Sequence, residues 1–315
     1  MKIVKNTDRG GTEMNSEERL KYIESVLVKH MPAETGPANP VREAMEYALM
    51  AGGKRVRPTL MMLSYEAFTV KDPDKAVPVE VLETFMAAIE MIHTFSLIHD
   101  DLPALDDDSL RRGRPTVHVA YGEDIAILAG DGLENLAFEV AAKSFSMLPG
   151  DVRAEKALQI LAAKPGLFGM LGGQVADVTL SGTRLTDEQL EYIYANKTAA
   201  LLECAMMIGA VLGGADEYEV DKIRRAAYDA GIAFQVQDDI LDETGDEATL
   251  GKEVGQDARN EKTTYVTLHG MDAAKAYVQQ KTDEAEVLIK ELFDEENAPA
   301  SELRTLLQGL VNRRA

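Results

Sequence analysis

Val81-Leu82-Glu83-Thr84-Phe85-Met86-Ala87-Ala88-Ile89-Glu90-Met91-Ile92-His93-Thr94-Phe95-Ser96-Leu97-Ile98 is apolar on more than one side of almost every helical turn. That pattern marks a helix buried in a large bundle, not one lying on a surface. It runs straight into His99-Asp100-Asp101-Leu102-Pro103-Ala104-Leu105-Asp106-Asp107-Asp108. Much further along, Asp238-Asp239-Ile240-Leu241-Asp242 follows a similar apolar lead-in, Ala233-Phe234-Gln235-Val236-Gln237. Carboxylates at the end of an apolar helix repel one another and resist burial, so something cationic must compensate them. Hard oxygen donors that leave open positions suit Mg²⁺ holding a phosphorylated substrate. One such cluster reads equally well as a solvated acidic helix end. Two with matching lead-ins, facing each other, suit a diphosphate held between them.

Helical patterning extends outward from this stretch in both directions. Ser16-Glu17-Glu18-Arg19 is a helix start, with Tyr22, Ile23, Val26 and Leu27 on one face. Pro40 opens a segment carrying Val41, Ala44, Met45, Ala48 and Leu49, and Gly52-Gly53 closes it. Pro58 sits where a first helical turn tolerates proline. Further helices are expected at about 124–147, 152–172, 186–212, 218–242, 271–295 and 300–313. Gly and Pro punctuate 32–40, 149–150, 165–166 and 213–214. No stretch alternates with period two between hairpin turns, so almost no sheet is expected. The expected organisation is one all-α domain over residues 14–315, preceded by a loose polar leader at 1–13.

The chain has 315 residues, and 45% of them are hydrophobic, enough for a sizeable core. Its 33 Lys and Arg face 54 Asp and Glu, a net charge of −21. Nucleic acid and anionic membranes are therefore disfavoured as partners, because phosphate groups attract Lys and Arg surfaces. The single cysteine, Cys204, lies in an apolar run and is expected to be a packed thiol. The N-terminus has no signal-like apolar core, and no run reaches the roughly 18 apolar residues of a membrane span. A soluble cytoplasmic protein is the expectation.

Spacing and charge narrow the chemistry. Asp238 and Asp242 stand four residues apart, so a helix puts both on one face. Pro103 interrupts the first cluster. The helix is expected to end or bulge near 102–104, which returns Asp106 to the side of Asp100. Gly52-Gly53-Lys54-Arg55-Val56-Arg57-Pro58 joins flexible backbone to three cations, and Arg111-Arg112-Gly113-Arg114 follows Asp108 closely. Guanidinium forks match phosphate oxygens in bidentate fashion, while lysine offers a mobile point charge. Lys197-Thr198, Lys252 and Lys262 add isolated cations. Any one of these reads first as a surface salt bridge; together with the acidic clusters they describe a cavity for more than one diphosphate. Arg112-Gly113-Arg114-Pro115 also spells a minor-groove element, but five aspartates and the net charge exclude it. A calcium loop at Asp106–Asp108 lacks the required glycine and glutamate. A metal-dependent phosphohydrolase would need clustered histidines, and the chain has 5 in all.

At this point several linked motifs resemble one family. They are GGKRVRP at 52–58, HDDLPALDDDSLRRGRPTVH at 99–118, GGQVAD at 172–177, KT at 197–198, FQVQDDILD at 234–242 and GKEVGQDARNEKTTY at 251–265. The chain resembles the trans-isoprenyl diphosphate synthases, most closely the bacterial farnesyl diphosphate synthases. The resemblance implies an all-α single large helical bundle around a deep central cavity, usually as a homodimer, with three Mg²⁺ bridging aspartates and an allylic diphosphate. It assigns Asp100, Asp106 and Asp238 as metal ligands, Asp242 nearby or through water, and Asp101 and Asp239 in support. Arg111, Lys197 and Lys252 would hold the allylic diphosphate, Thr198 and Gln235 would line its site, and Lys262 would join on closure. Lys54, Arg57, His93 and Arg112 would hold isopentenyl diphosphate. Val266 departs from the proline that often follows the tyrosine at 265, a change that touches loop shape.

Phe95 and Ser96 lie five and four residues before Asp100, roughly 6–7.5 Å deeper along a helix. A ring there would floor the cavity. In the family, such an aromatic together with the lengthened first motif goes with a C15 product. The expected reaction is head-to-tail condensation of isopentenyl diphosphate with dimethylallyl or geranyl diphosphate to give farnesyl diphosphate. The alternatives are a geranylgeranyl (C20) or geranyl (C10) diphosphate synthase, and a non-catalytic partner subunit. A terpene cyclase would not need the second basic site.

Overall fold

The computed structural model describes residues 14–33, 36–244 and 263–311, so the leader expected at 1–13 lies outside the described residues. The chain divides into two compact units, Met1–Met62 with Val77–Leu158 and Leu63–Ala76 with Gln159–Ala315. The helices in chain order are α1 (Ser16–His30), α2 (Asn39–Leu49), α3 (Val56–Lys71), α4 (Val79–Asp100), α5 (Val117–Tyr121), α6 (Glu123–Ala142), α7 (Ser144–Met147), α8 (Val152–Ala163), α9 (Met170–Thr179), α10 (Asp187–Ile193), α11 (Ala200–Gly213), α12 (Glu217–Thr244), α13 (Tyr265–His269), α14 (Met271–Lys290) and α15 (Ala298–Val311). The only β-structure among the described residues is a hairpin of β1 (Leu110–Arg111) and β2 (Arg114–Pro115). The all-α expectation holds.

In the first unit α4 is the central element, packed by α1, α2 and α6. Phe85, Met86, Ile89 and Met91 are fully buried, each contributing about 1.5–3 kcal/mol of apolar transfer. Two glutamates are buried on the same helix, and each has partners. Glu83 accepts from the Tyr22 hydroxyl at 2.6 Å and pairs with Lys29 of α1. Glu90 receives Arg55 Nη1 at 2.9 Å, while Arg55 Nη2 donates to the Leu49 carbonyl at 2.7 Å. α1 starts as read, with a reciprocal cap. Asn15 accepts from the Glu17 and Glu18 amides, and Glu18 reaches back to the Asn15 amide, each at 3.0 Å.

The second unit is built around α12, packed by α11 and α14. α11 is buried on all sides and includes Cys204, as expected for a packed thiol. Lys281 of α14 reaches Asp229 of α12 at 2.9 Å and Glu284 at 2.7 Å. Three helices expected as continuous are interrupted. The stretch 124–147 breaks at Lys143, between α6 and α7. The stretch 152–172 breaks after Ala163, where Pro165 and Gly166 turn the chain and the Met170 amide returns to the Lys164 carbonyl at 2.9 Å. The stretch 186–212 contains a π-helical turn at Tyr194–Ala199. Val79–Asp100 and Asp187–Gly213 are long and apolar enough to cross a membrane by length and composition, although neither is an unbroken apolar run. Of their apolar windows, 78% and 72% are buried within the protein, as in core helices.

Removing one partner of a buried ion pair leaves the other charged and desolvated. Glu90→Ala should therefore lower unfolding free energy by about 3–5 kcal/mol. Glu17→Ala, which removes the exposed Lys21 partner, should cost well under about 1 kcal/mol. Urea denaturation of both variants checks this; equal small effects would contradict the assignment of Arg55 to structure.

Candidate active site

α4 ends at Asp100, and the next residues close a compact turn instead of continuing the helix. The Leu102 amide returns to His99 at 3.1 Å, that of Leu105 to Leu102 at 2.9 Å, and that of Asp106 to the Asp100 carbonyl at 2.9 Å. Pro103, which has no N–H to place, sits exposed in the loop. Asp107 takes a left-handed φ of 52°, a conformation aspartate tolerates better than most residues. The insertion thus brings Asp106 back beside Asp100. Asp101 turns inward and is 3% exposed. It accepts from Arg111 Nε at 2.6 Å and Nη2 at 2.5 Å. Burial pushes the Asp101 carboxyl upward in pKa, and the Arg111 guanidinium pulls against that shift.

The β1–β2 hairpin aims the adjacent arginine. Its two central residues, Arg112 and Gly113, have φ of 53° and 73°, the positive pair of a mirror-image hairpin turn. Glycine takes this conformation without cost; an arginine there is strained, and such strain gathers at functional sites. Arg112 donates to the Gly52 carbonyl, and a β-carbon at Gly53 would lie 2.8 Å from its guanidinium carbon. The Gly52-Gly53 pair therefore makes room for Arg112 beside Lys54 and Arg57. Lys54 is exposed, whereas Arg57 and His93 are partly buried. Burial, then the fields of Arg57, Arg112, Arg111 and Arg55, hold the His93 imidazole well below its ordinary 6.5. A neutral ring amid guanidinium groups leaves this corner strongly positive, as a phosphate site requires. Arg55, the middle cation of the motif, is spent on Glu90.

In the second unit the π-turn Tyr194–Ala199 carries Lys197 and Thr198. Single π-turns inside helices recur at functional sites because the extra residue re-aims side chains. Glycines clasp it from both sides. A β-carbon at Gly173 of α9 would lie 2.2 Å from the Lys197 amide nitrogen, and one at Gly231 of α12 would lie 2.4 Å from Ala199 Cβ. Lys197 Nζ donates to Asp177 Oδ2 at 2.5 Å, and Thr198 Oγ1 donates to Gln235 Oε1 at 2.8 Å. Asp238 is partly buried and Asp242 is 6% exposed. Between them in sequence, Asp239 accepts from the Tyr194 hydroxyl and from the Tyr265 amide at 2.9 Å. It ties α12 to the π-turn and to the start of α13. Val266, the departure noted above, is buried within α13.

Within the first unit the structure brings together Asp100 with Asp106, Asp101 with Arg111, and Arg112 with the Gly52–Arg57 segment. Within the second it joins Lys197 and Thr198 to α9 and α12. Lys252 and Lys262 lie outside the described residues. Glu90, Asp177 and Tyr194 were not singled out from sequence. Asp177 closes the quoted GGQVAD motif, so the motif held the signal; for Glu90 and Tyr194 only burial reveals the role.

The sequence pattern of the polyprenyl synthetase family matches residues 38–307. The chain belongs to the polyprenyl synthetase family. It is 43% identical to the farnesyl diphosphate synthase of Geobacillus stearothermophilus over 82% of this chain and 84% of that protein. It is 44% identical to the chloroplastic geranylgeranyl pyrophosphate synthase of Capsicum annuum over 82% and 68%. Among solved structures it superposes on the Helicobacter pylori geranyltransferase complexed with magnesium and isoprenyl diphosphate, with a TM-score of 0.80, 30% identity and coverage of 94% and 96%. As a member of this polyprenyl synthetase family the protein is a prenyltransferase of the trans-prenyl diphosphate synthase kind, with the all-α fold of its relatives.

The glycine clasp gives a direct test. Gly173→Ala forces a β-carbon against the Lys197 backbone and should cost about 1–3 kcal/mol of stability. Because it displaces the turn that carries Lys197, kcat/KM should also fall at least about tenfold, the loss that a 1.4 kcal/mol change produces. Gly309→Ala, on α15 with nothing within 4 Å, should stabilise slightly. Thermal melts with steady-state kinetics check the pair, and a silent Gly173→Ala would contradict the clasp.

Proposed function

We propose that this prenyltransferase condenses isopentenyl diphosphate with dimethylallyl and then geranyl diphosphate to give farnesyl diphosphate. One observation carries the choice of C15. Phe95 stands five residues before Asp100 on α4, about 7.5 Å along the axis from the aspartate-bearing end. A growing tail anchored at its diphosphate by that end runs toward the ring, which would stop its extension. Relatives named for C15 and for C20 products are about equally identical, so a C20 product is the second reading.

The donor set suits Mg²⁺. Asp106 is exposed and returned to Asp100 by a backbone hydrogen bond. Among the described residues no three His, Cys, Asp or Glu side chains converge. An ion held by Asp100 and Asp106, or by Asp238 and Asp242, would complete its shell with water and diphosphate oxygens, as Mg²⁺ prefers. Three ions, as the family resemblance implies, would supply charge neutralisation to the leaving diphosphate. Arg111 and Lys197, with Lys252 and Lys262, bind that diphosphate, and Thr198 and Gln235 orient it. Asp101, Asp177 and Asp239 hold these groups in position. Lys54, Arg57 and Arg112 bind isopentenyl diphosphate, where neutral His93 donates a hydrogen bond without adding charge. Apolar residues of α4 keep water from the allylic cation. The departing diphosphate takes the proton that is lost, so no histidine base is needed. The working form is a homodimer.

Asp238→Ala should all but abolish turnover, by about a hundred- to a thousandfold, the loss typical of removing one group that stabilises transition-state charge, with far-ultraviolet circular dichroism unchanged. Phe95→Ala should move the product to C20 or longer. Mass spectrometry of the products checks both. Retained activity in Asp238→Ala would refute the metal assignment, and unchanged C15 in Phe95→Ala would refute the floor.

A further inference from the structure

The Phe95 ring is not alone on its face of α4. One turn further along α4, the His99 ring meets it edge-on, with centroids 5.9 Å apart and planes at 73°. Side chains on a helix lean toward its N-terminus, so a ring at position 99 lies back over the turn that carries residue 95. His99 is itself seated on α6. A β-carbon at Gly130 would lie 2.1 Å from its Nε2 and 2.5 Å from its Cδ2. The same Nε2 donates to the Ile127 carbonyl at 3.2 Å and lies 3.8 Å from Asp131 Oδ1.

Gly130 sits in the interior of α6 without the positive φ that would call for glycine. Glycine inside a helix is otherwise unfavourable, because it loses the most conformational freedom on folding. Room for the His99 ring is the physical reason for it. Without that ring, Phe95 would regain the alternative staggered rotamers open to an aromatic on a helix. We propose that His99 is a specificity-determining positioning residue: wedged between Gly130 and Phe95, it fixes the Phe95 ring across the path of the growing tail, so that α6 takes part in setting product length. This inference rests on the reading of Phe95 as the floor.

The experiment uses the full chain with isopentenyl and geranyl diphosphates and reads the C15 to C20 ratio by mass spectrometry, with thermal melts of each variant. His99→Ala should raise the C20 share several-fold, in the same direction as Phe95→Ala. The double variant should match Phe95→Ala alone, because a wedge with no ring to hold has no further effect. His99→Phe, which keeps a ring in the notch, should restore the wild-type ratio. A His99→Ala enzyme that keeps the wild-type ratio while Phe95→Ala lengthens the product would overturn the wedge and leave the floor standing. If neither variant lengthens the product, the floor itself is wrong. Lengthening that adds in the double variant would also overturn the wedge. Should His99→Ala fail to fold, Gly130→Ala displaces the same ring from the α6 side; an altered ratio supports the proposal and an unaltered one overturns it.

Discussion

Arg55 and Glu90 meet at 2.9 Å with side chains 0% and 2% exposed, and much of the surrounding site depends on charge compensated in this way. A protein that gathers polyanions must hold many cations close together, and unpaired like charges in a packed interior would unfold it. The same solution recurs at Asp101 with Arg111 and at Asp177 with Lys197. Each carboxylate fixes a cation while leaving some of its N–H groups to donate elsewhere. Arg55 is the exception, with its Nη groups turned inward to Glu90 and the Leu49 carbonyl. It serves the fold, whereas Lys54 and Arg57, on either side of it, belong to the proposed isopentenyl diphosphate site.

Electrostatics and backbone shape act together in this arrangement. Burial, reinforced by the field of four arginines, holds the His93 imidazole well below its ordinary range, so the ring adds little further repulsion to the basic corner. Arg112 reaches that corner because the hairpin turn accepts a positive φ and because Gly53 carries no side chain. In the second unit the π-turn gains its extra residue only where Gly173 and Gly231 let α9 and α12 come close. Glycine here permits approach, and the approach sets where Lys197 and Thr198 stand.

Much of this was legible in the sequence because it follows local rules. The all-round apolar run at 81–98 reads as a buried helix, and α4 is one. Pro103 inside the first acidic cluster reads as an interruption, and the Asp106–Asp100 backbone bond is its outcome. What escaped depends on partners far apart in the chain. Nothing in Lys54-Arg55-Val56-Arg57 tells which cation turns inward; that choice is made by Glu90, on the far side of α3 and a short connection. The π-turn reads as plain helix in Tyr194–Ala199, since its cause lies in glycines on α9 and α12. Asp239 looks like its neighbours Asp238 and Asp242, and only Tyr194 and the Tyr265 amide distinguish it.

In the function proposed above, these paired charges serve a Mg²⁺-dependent carbon–carbon bond formation between two isoprenoid diphosphates. The most direct measurement incubates the full chain with isopentenyl and dimethylallyl diphosphates and Mg²⁺, with and without EDTA, and follows products by mass spectrometry and released diphosphate by colorimetry. The expected result is a C15 diphosphate, two diphosphates released for each one formed, and loss of both signals with EDTA. Condensation that survives EDTA, a hydrocarbon product, or diphosphate binding with no condensation at all would contradict it.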